Sequence, residues 1–520
     1  MIAVASFEVP NSFFVVFTAF LSLCCCLWVI SGAAEDDAAM FPSRAREDSA
    51  WRSGLVISGT SLSAVTLMAL VGLVALTGFD GMMLSLGTVM GLVLLAVLFA
   101  EPLRNAGGYT VGDALARRLP GRPVRIALGL VTLCVCLPYL VLQLAAIGSL
   151  SAFVFGLTSG GAKSVCIFVI GCLVVSLAVS GGVRGTARVQ FVKVVVLLAV
   201  LAAAAILVLE RFAWNPDRLL GAAASGSALG DAFLGPGNQY GSGPMAAANR
   251  FGQFLTLALA VCCLPHITMR VLAAPTGRAT RGAMRWAVGQ MLVISALLLV
   301  VGLGAAAVIG GPQLSKADPT GSMSLLLVTD ALDDDGLLFS AAFSVVFLTA
   351  LATVADVMLA AAASVTRDLL PRRPQAGVAA LPGQERHARW AAALIGTLTL
   401  AVALPAADWN LLVLSTLAMT LAASALGPVL TYTFLWRGFT QRGALWALYG
   451  SSVLTLALLF VSPLISGSPG AAFPDSDFHW TGLVSPGLLT IPAGFLLGWL
   501  GSVLDRKTPA PTPYDSPGLR

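Results

Sequence analysis

The chain has 520 residues, of which 58% are hydrophobic and only 11% are charged, and its net charge is +5. A soluble domain carries roughly 25% charged residues, so the composition excludes a soluble enzyme and indicates a polytopic membrane protein. The nine cysteines lie in apolar runs without metal-ligand spacing, which excludes a zinc module and a disulfide scaffold. Nothing in the charge pattern indicates a nucleic-acid partner.

Apolar runs of about 18 residues or more predict about thirteen transmembrane helices. The predicted spans are 12–33, 51–78, 82–101, 125–155, 163–180, 187–209, 248–270, 286–311, 337–365, 389–406, 409–435, 443–465 and 483–503.

Lys and Arg residues concentrate in the loops that follow odd-numbered spans. The loops on the other side hold only Lys163, Arg211, Arg218, Arg250 and Lys316. By the positive-inside rule this asymmetry predicts an N-out, C-in protein of a bacterial inner membrane.

The first span has two interpretations. Ser31-Gly32-Ala33 resembles the cleavage site of a signal peptide, but the preceding residues include Glu8 and no Lys or Arg. This composition favours a retained helix over a cleaved signal.

The second span, Trp51–Gly78, has an unusual middle. Gly59-Thr60-Ser61-Leu62-Ser63 places a glycine and three hydroxyl groups in an apolar run. Such a stretch indicates either a discontinuous helix or a continuous helix that packs closely on a neighbour. A second disruption, Cys262–His266, lies in the seventh span. The predicted spans two to six and seven to eleven would form two groups of five helices with opposite orientation. Paired disruptions in inverted halves favour broken helices around a binding site near the bilayer midplane.

Several short motifs occur in a fixed order along the chain. They are Thr77–Gly81, Glu101–Asp113, Tyr139–Gln143 with Gly148, Gly181-Gly182 with Gln190, Leu264-Pro-His-Ile-Thr-Met-Arg270, Ser364–Leu369, and Phe434–Arg437 with Arg442-Gly-Ala444. With these motifs the chain resembles the sodium/solute symporter family, in particular its acetate-permease branch, over about residues 50–450.

The resemblance implies a leucine-transporter-type fold, with two inverted repeats of five helices. We therefore expect residues 51–436 to form the transporter core, with repeats at about 51–209 and 248–436. Residues 1–50 would form an extra N-terminal helix and a cytoplasmic loop. Residues 437–503 would form two further helices, and residues 504–520 a cytoplasmic tail.

The resemblance also implies a cation site and no other cofactor. Its ligands would be the carbonyls of Gly59, Leu62 and Thr349, together with positions 352 and 353. These positions hold Ala352 and Thr353, so only one of them offers a side-chain oxygen. Na⁺ is the ion favoured by the resemblance.

Asp356 is the only acidic residue in the sequence that lies well inside a predicted span. A lone carboxylate is costly in a membrane, so it normally faces a cavity or a partner. At helical spacing it shares a face with Thr349 and Thr353. Related acetate permeases carry an Asp where this chain has Thr60. We expect Asp356 to lie across the same cavity and to ligate the cation or carry a proton; the alternative is a hydrogen-bonded Asp that holds helices together.

The candidate substrate contacts are polar groups at the two disruptions and on the fourth span. They are Thr60, Ser61, Ser63, Thr66, Gln143 and His266. We expect no Lys or Arg at mid-membrane, so backbone amides and the helix dipole at the first break would receive a carboxylate. Each hydroxyl has an alternative role as an interhelical hydrogen bond, and His266 as a partner of a freed carbonyl.

These features predict a secondary transporter that couples a cation gradient, Na⁺ rather than H⁺, to uptake of a small monocarboxylate such as acetate, propionate or pyruvate. The expected partners are this solute and the lipid bilayer, and the oligomeric state is not predicted. The alternatives are a non-transporting membrane sensor on the same scaffold and a symporter for another solute. An intramembrane enzyme is disfavoured because it would need paired catalytic groups.

Overall fold

The computed structural model describes residues 13–22, 49–157, 160–370, 382–408, 410–468 and 471–505. Within these ranges the chain is α-helical, and its extended pairing is limited to one bridge between Ser466 and Phe473. Nine continuous helices in the described ranges are long and apolar enough to cross a membrane, and one bent pair makes a tenth. The predicted all-α, multi-pass membrane class is therefore confirmed.

The first half of the chain contains the helices that surround the first break. They are α1 (Phe13–Ser22), α2 (Ala50–Ser61), α3 (Ala64–Thr77), α4 (Phe79–Leu94), the π-helical turn Leu95–Phe99, α5 (Ala100–Ala106), α6 (Val111–Leu115), α7 (Arg122–Val154), α8 (Gly160–Arg211), α9 (Pro216–Gly226) and the 3₁₀ turn Gly230–Leu234. The helical run α8 carries two spans, Lys163–Ser180 and Gly185–Arg211.

The second half begins with another interrupted helix. Its elements are α10 (Pro244–Cys263), α11 (Pro265–Leu272), α12 (Gly277–Val308), α13 (Gly311–Ala317), α14 (Ser324–Leu332), α15 (Leu337–Ser364), the π turn Val365–Leu369, α16 (Pro382–Ala403), the 3₁₀ turn Pro405–Asp408, α17 (Leu411–Leu421), the π turn Ala422–Leu426, α18 (Gly427–Leu435), α19 (Gln441–Leu445), the π turn Trp446–Gly450, α20 (Ser451–Phe460) and α21 (Gly487–Val503).

Three of the predicted spans coincide with shorter apolar helices, Phe13–Ser22, His387–Ala403 and Gly487–Val503. The predicted count of about thirteen spans is therefore not confirmed. Residues 23–33 of the first predicted span and residues 506–520 of the predicted tail lie outside the described residues. The domain boundaries and the N-out, C-in orientation stay predictions.

The helix α15 lies at the centre of the molecule. Nearly all of its residues are buried, because α7, α8 and α16 pack around it. The helix α1 packs on its N-terminal half, where the Phe13 and Phe343 ring centroids are 5.2 Å apart and those of Phe17 and Phe347 are 5.3 Å apart. A helix that is apolar all round is expected in such a buried position, so the one carboxylate in its middle needs partners from the surrounding helices.

Candidate functional site at the broken helix

The first predicted break is present. The helix α2 ends at Ser61, α3 begins at Ala64, and the two are bent by 70°. Leu62 and Ser63 between them have extended backbone. The Ser63 hydroxyl accepts a hydrogen bond from the Thr66 N–H at 3.1 Å, so it caps the new helix as N-terminal serines do. The break is narrower than predicted, because Gly59, Thr60 and Ser61 remain helical.

Gly59 serves close packing instead of the break. A Cβ at this position would lie 2.5 Å from Val194 Cγ2 and 3.3 Å from the Gln190 carbonyl oxygen. Only a glycine lets α2 approach α8 this closely. The discontinuous helix is therefore confirmed, and the continuous helix is wrong, although the close packing expected of it is found at Gly59.

The second interruption lies at Leu264, between α10 and α11, where the backbone is extended (φ −56°, ψ 128°). Pro265 then occupies the first turn of α11, which suits it because that position needs no N–H donor. This short helix is buried along its whole length and carries His266 and Arg270.

Four helices contribute to a buried polar cluster around the Asp356 carboxylate of α15. It accepts hydrogen bonds from Thr60 Oγ1 at 2.9 Å and from Gln190 Nε2 at 3.0 Å, and it forms an ion pair with Arg270. Arg270 also donates to Thr186 Oγ1 at 2.6 Å. The expectation that Asp356 lies across from Thr60 is confirmed; its role in coupling stays a prediction.

A lysine from α8 completes the cluster. Lys193 is fully buried, and its Nζ donates to the carbonyl oxygen of Gly59 at 2.5 Å and to that of Leu62 at 3.0 Å. These are two of the oxygens that the family resemblance assigns to a sodium ion.

The expectation that no Lys or Arg lies inside the membrane-spanning helices is wrong, because Lys193 is buried well inside the span Gly185–Arg211, and Arg270 is buried near the end of Pro244–Leu272. A signal was present in the sequence. Thr186, Gln190 and Lys193 recur at helical spacing on one face of α8, and a charged residue inside a span is a functional candidate by default. Gln190 and Arg270 were identified only as family markers.

The other predicted cation ligands lie on α15 and are fully buried. The Thr349 carbonyl accepts a hydrogen bond from Thr353 Oγ1 at 2.8 Å, so two of the predicted oxygens bond to each other. Ala352 is buried and brings no side-chain oxygen.

The predicted substrate contacts gather around the start of α3. The Ser63 and Thr66 hydroxyls are 2.9 Å apart, and Tyr139 of α7 contacts both of them. The His266 ring stacks on Tyr139 with centroids 5.7 Å apart. Ser61 Oγ differs, since it donates to the Ile57 carbonyl of its own helix at 2.8 Å.

Gln143 lies one helical turn beyond Tyr139, and therefore on the same face of α7. Its side chain is fully buried, yet among the residues that the structure describes neither its amide nitrogen nor its amide oxygen has a hydrogen-bond partner. Buried polar side chains are nearly always hydrogen-bonded, so an unpartnered amide is expected where a ligand binds.

A small cavity separates this cluster from the arginine-rich end of the bundle. Its volume is about 10 Å³, room for about one water molecule. It is lined by Tyr109, Thr110, Val111, Thr132, Pro265, Met269, Ala360, Ala363 and Ser364.

Below the cavity a network of charges joins α6, α7 and the end of α15. Asp113 is 2.8 Å from Arg125 and 3.4 Å from Arg367, and Asp368 accepts from Thr110 Oγ1 at 3.0 Å. These contacts link α6, α7 and the π turn that follows α15.

Nearby, the Arg118 side chain donates to the Thr433 and Trp436 carbonyls at the end of α18. Burial lowers the pKa of its guanidinium, and the neighbouring Arg437 charge lowers it further. The bond to two helix-terminal carbonyls suits a cation, because that end of a helix carries partial negative charge.

Comparison with known proteins agrees with this architecture. Residues 45–450 match the sodium:solute symporter family. The chain is 31% identical to a monocarboxylic acid transporter of Corynebacterium glutamicum over 94% of this chain and 91% of that protein. It is 32% identical to the uncharacterized symporter YwcA of Bacillus subtilis, over 87% and 86% of the two chains.

Two solved structures share the fold. A Na⁺-coupled sialic acid symporter in a substrate-bound, outward-open state has a TM-score of 0.71 and 13% identity, over 97% of this chain and 100% of the other. MhsT in complex with L-phenylalanine has a TM-score of 0.54 and 15% identity, over 88% and 99%. The family match over most of the chain decides the assignment: this inner-membrane protein belongs to the sodium:solute symporter family.

Proposed function

We propose that the protein takes up a small monocarboxylate by alternating access, driven by an inward cation gradient. The family supports cation-coupled symport, and the name of the C. glutamicum relative supports a monocarboxylate as the substrate class. The observation that carries the proposal is the buried, unpartnered amide of Gln143, on the helix face that borders the break.

The formal charges of the cluster also favour an anionic substrate. Lys193 and Arg270 bring two positive charges, whereas Asp356 brings one negative charge. An uncompensated charge in a membrane interior is costly. A bound carboxylate would add negative charge beside these two cations of the described residues.

The geometry of α3 favours the same class of ligand. Its N-terminus lies at the break, beside the buried hydroxyl of Ser63 and the partly buried hydroxyl of Thr66. The partial positive charge and free N–H groups of a helix N-terminus attract carboxylates. A carboxylate bound there would lie close to Tyr139 and to the Gln143 amide.

The test is uptake of labelled acetate, propionate and pyruvate into proteoliposomes that contain the purified protein, with Na⁺ and pH gradients imposed separately. We expect accumulation of at least one acid, lost when the gradient is collapsed. No accumulation of any acid under either gradient would contradict the proposal and would favour a sensor.

Substitution of Gln143 by leucine tests the binding role, because leucine fills similar space without an amide. We expect KM for the transported acid to rise by about tenfold or more, as for loss of a hydrogen bond to a charged group. Gln313→Leu is the matched control, since Gln313 is exposed on α13 and its change should leave uptake unaltered. An unchanged KM in Gln143→Leu would exclude this residue from the substrate site.

A further inference from the structure

The carbonyls of Gly59 and Leu62 form a cation site by their chemistry. Both lie at the C-terminal end of α2, where the helix dipole places partial negative charge. In broken membrane helices such carbonyls coordinate cations. The site therefore attracts a positive charge whether or not a free ion is present.

In this chain the positive charge comes from Lys193. Its ammonium donates to both carbonyls, at 2.5 and 3.0 Å, and the side chain is fully buried. A hydrogen bond from a charged donor to a carbonyl at such a distance is a strong one. The Gly59 oxygen also accepts the Leu62 N–H at 3.2 Å, so it has little capacity for another partner.

The remaining oxygens do not fit a sodium ion. Ala352 contributes none, and the Thr349 carbonyl accepts from the Thr353 hydroxyl at 2.8 Å. A desolvated cation needs several oxygens to replace its water shell. With two of the expected carbonyls held by an ammonium, and with the predicted ligand Asp356 paired with Arg270, the oxygens that remain are too few for that shell.

We propose that the ammonium of Lys193 occupies the cation position of this site, in place of Na⁺, and that uptake by this chain does not require Na⁺. The part of this inference that concerns uptake rests on the proposed function, whereas the part that concerns Na⁺ binding does not. Of the two coupling ions considered, H⁺ then remains.

The direct test measures Na⁺ binding to the purified protein and needs no substrate. We expect no binding of radioactive sodium to the wild type, and no rise of its thermal unfolding midpoint when KCl is replaced by NaCl. A ligand that binds only the folded state would raise that midpoint. Saturable Na⁺ binding to the wild type would overturn the inference, even if no substrate were ever found.

Removal of the lysine should create the missing site. In Lys193→Ala the two carbonyls lose their donor, so we expect the unfolding midpoint to fall and to recover in part with Na⁺ but not with K⁺. Lys193→Gln is a second variant in case the alanine variant fails to fold, because it keeps a hydrogen-bond donor without the positive charge; we expect its unfolding midpoint to lie below that of the wild type and its uptake to fall as in Lys193→Ala. Lys316→Ala is the control, because Lys316 is exposed on α13.

The transport arm uses the acid that the uptake panel identifies. We expect wild-type uptake to be unchanged when choline replaces Na⁺ and to follow an imposed pH gradient. Lys193→Ala uptake should fall by about tenfold or more, as charge-assisted bonds to two oxygens are lost. A wild type whose uptake collapses without Na⁺, or a Lys193→Ala variant that transports normally, would contradict the inference.

Discussion

The Asp356 carboxylate accepts hydrogen bonds from α2 and α8 and pairs with the guanidinium of α11. Membrane interiors offer no water to replace these partners. Removal of one partner therefore leaves a buried group without compensation, which costs more than loss of a surface ion pair, whose contribution is about 0–1 kcal/mol. One residue thus links both interrupted helices to the central helix.

The substitution Asp356→Asn keeps the shape and removes the charge. We expect uptake to be lost and the free energy of unfolding to fall by about 3–5 kcal/mol, because Arg270 becomes an uncompensated buried charge. The double variant Asp356→Asn/Arg270→Gln should regain part of the stability, which a double-mutant cycle in detergent would measure. Normal uptake in Asp356→Asn would show that the carboxylate takes no part in coupling.

At this scale the sequence predicted the carboxylate but not its counter-charges. Asp356 stands out because it is acidic and central in an apolar run. Lys193 lies in a run of valines and leucines, and its long aliphatic stem suits such surroundings. Sequence shows that a lysine is inside a span, but only the fold shows which carbonyl oxygens its ammonium reaches.

Close contact between α2 and α8 depends on the absence of a side chain at Gly59. The nearest atoms to an added Cβ belong to Val194 and Gln190 of α8, and Gln190 and Lys193 project from this same part of α8. The contact therefore sets the distance over which Lys193 and Gln190 reach the cluster. The same two helices, α2 and α8, therefore make the close packing contact at Gly59 and position the polar side chains of Gln190 and Lys193.

The substitution Gly59→Ala should displace α2, since the new methyl group would lie 2.5 Å from Val194 Cγ2. We expect a loss of about 1–3 kcal/mol in unfolding free energy, typical of overpacking, and a fall in uptake. Gly59→Ala/Val194→Ala should recover stability because it removes the clashing atom.

Gly289→Ala on α12 is the matched control, since nothing lies within 4 Å of an added Cβ there. It should be neutral or slightly stabilising, as alanine favours helix. Equal stability losses at Gly59 and Gly289, measured by thermal unfolding, would contradict the packing role.

The sequence predicted that the second span is interrupted, but it did not predict at which residues each helix begins and ends. The hydroxyl-rich stretch predicted a break, because Ser63 can cap a new helix. It did not predict that Gly59 to Ser61 stay helical, since that depends on how closely α8 approaches. The helix Gly487–Val503 likewise reads as a full span over 483–503 in an apolar window, because hydropathy does not show where a helix ends.

Across the whole molecule the charge network of Asp113, Arg125, Arg367 and Asp368 lies at the arginine-rich end, while the polar cluster lies buried above it. The small cavity lies between the two. The proposed alternating access requires a path to open through this region once per cycle. The network is therefore expected to govern access to the site from this end.

The substitution Arg125→Gln removes the pairing with Asp113 at 2.8 Å. We expect the closed state to become less populated, so that a cysteine introduced at Ala363, in the cavity wall, reacts faster with a maleimide. Arg281→Gln is the control, because its pair with Glu101 is largely exposed and such pairs contribute little. Identical labelling rates in the two variants would exclude a role for the network in closure.

A cation that is covalently part of α8 has a consequence for how the molecule opens. A free ion ends its part in the cycle by diffusing away, but Lys193 stays with its own helix. While its ammonium remains hydrogen-bonded to the last turn of α2, we expect α2 and α8 to move together. The hinge is then expected at Leu62 and Ser63, where α2 and α3 are bent by 70°. At this hinge α2 can move while α3 stays in place.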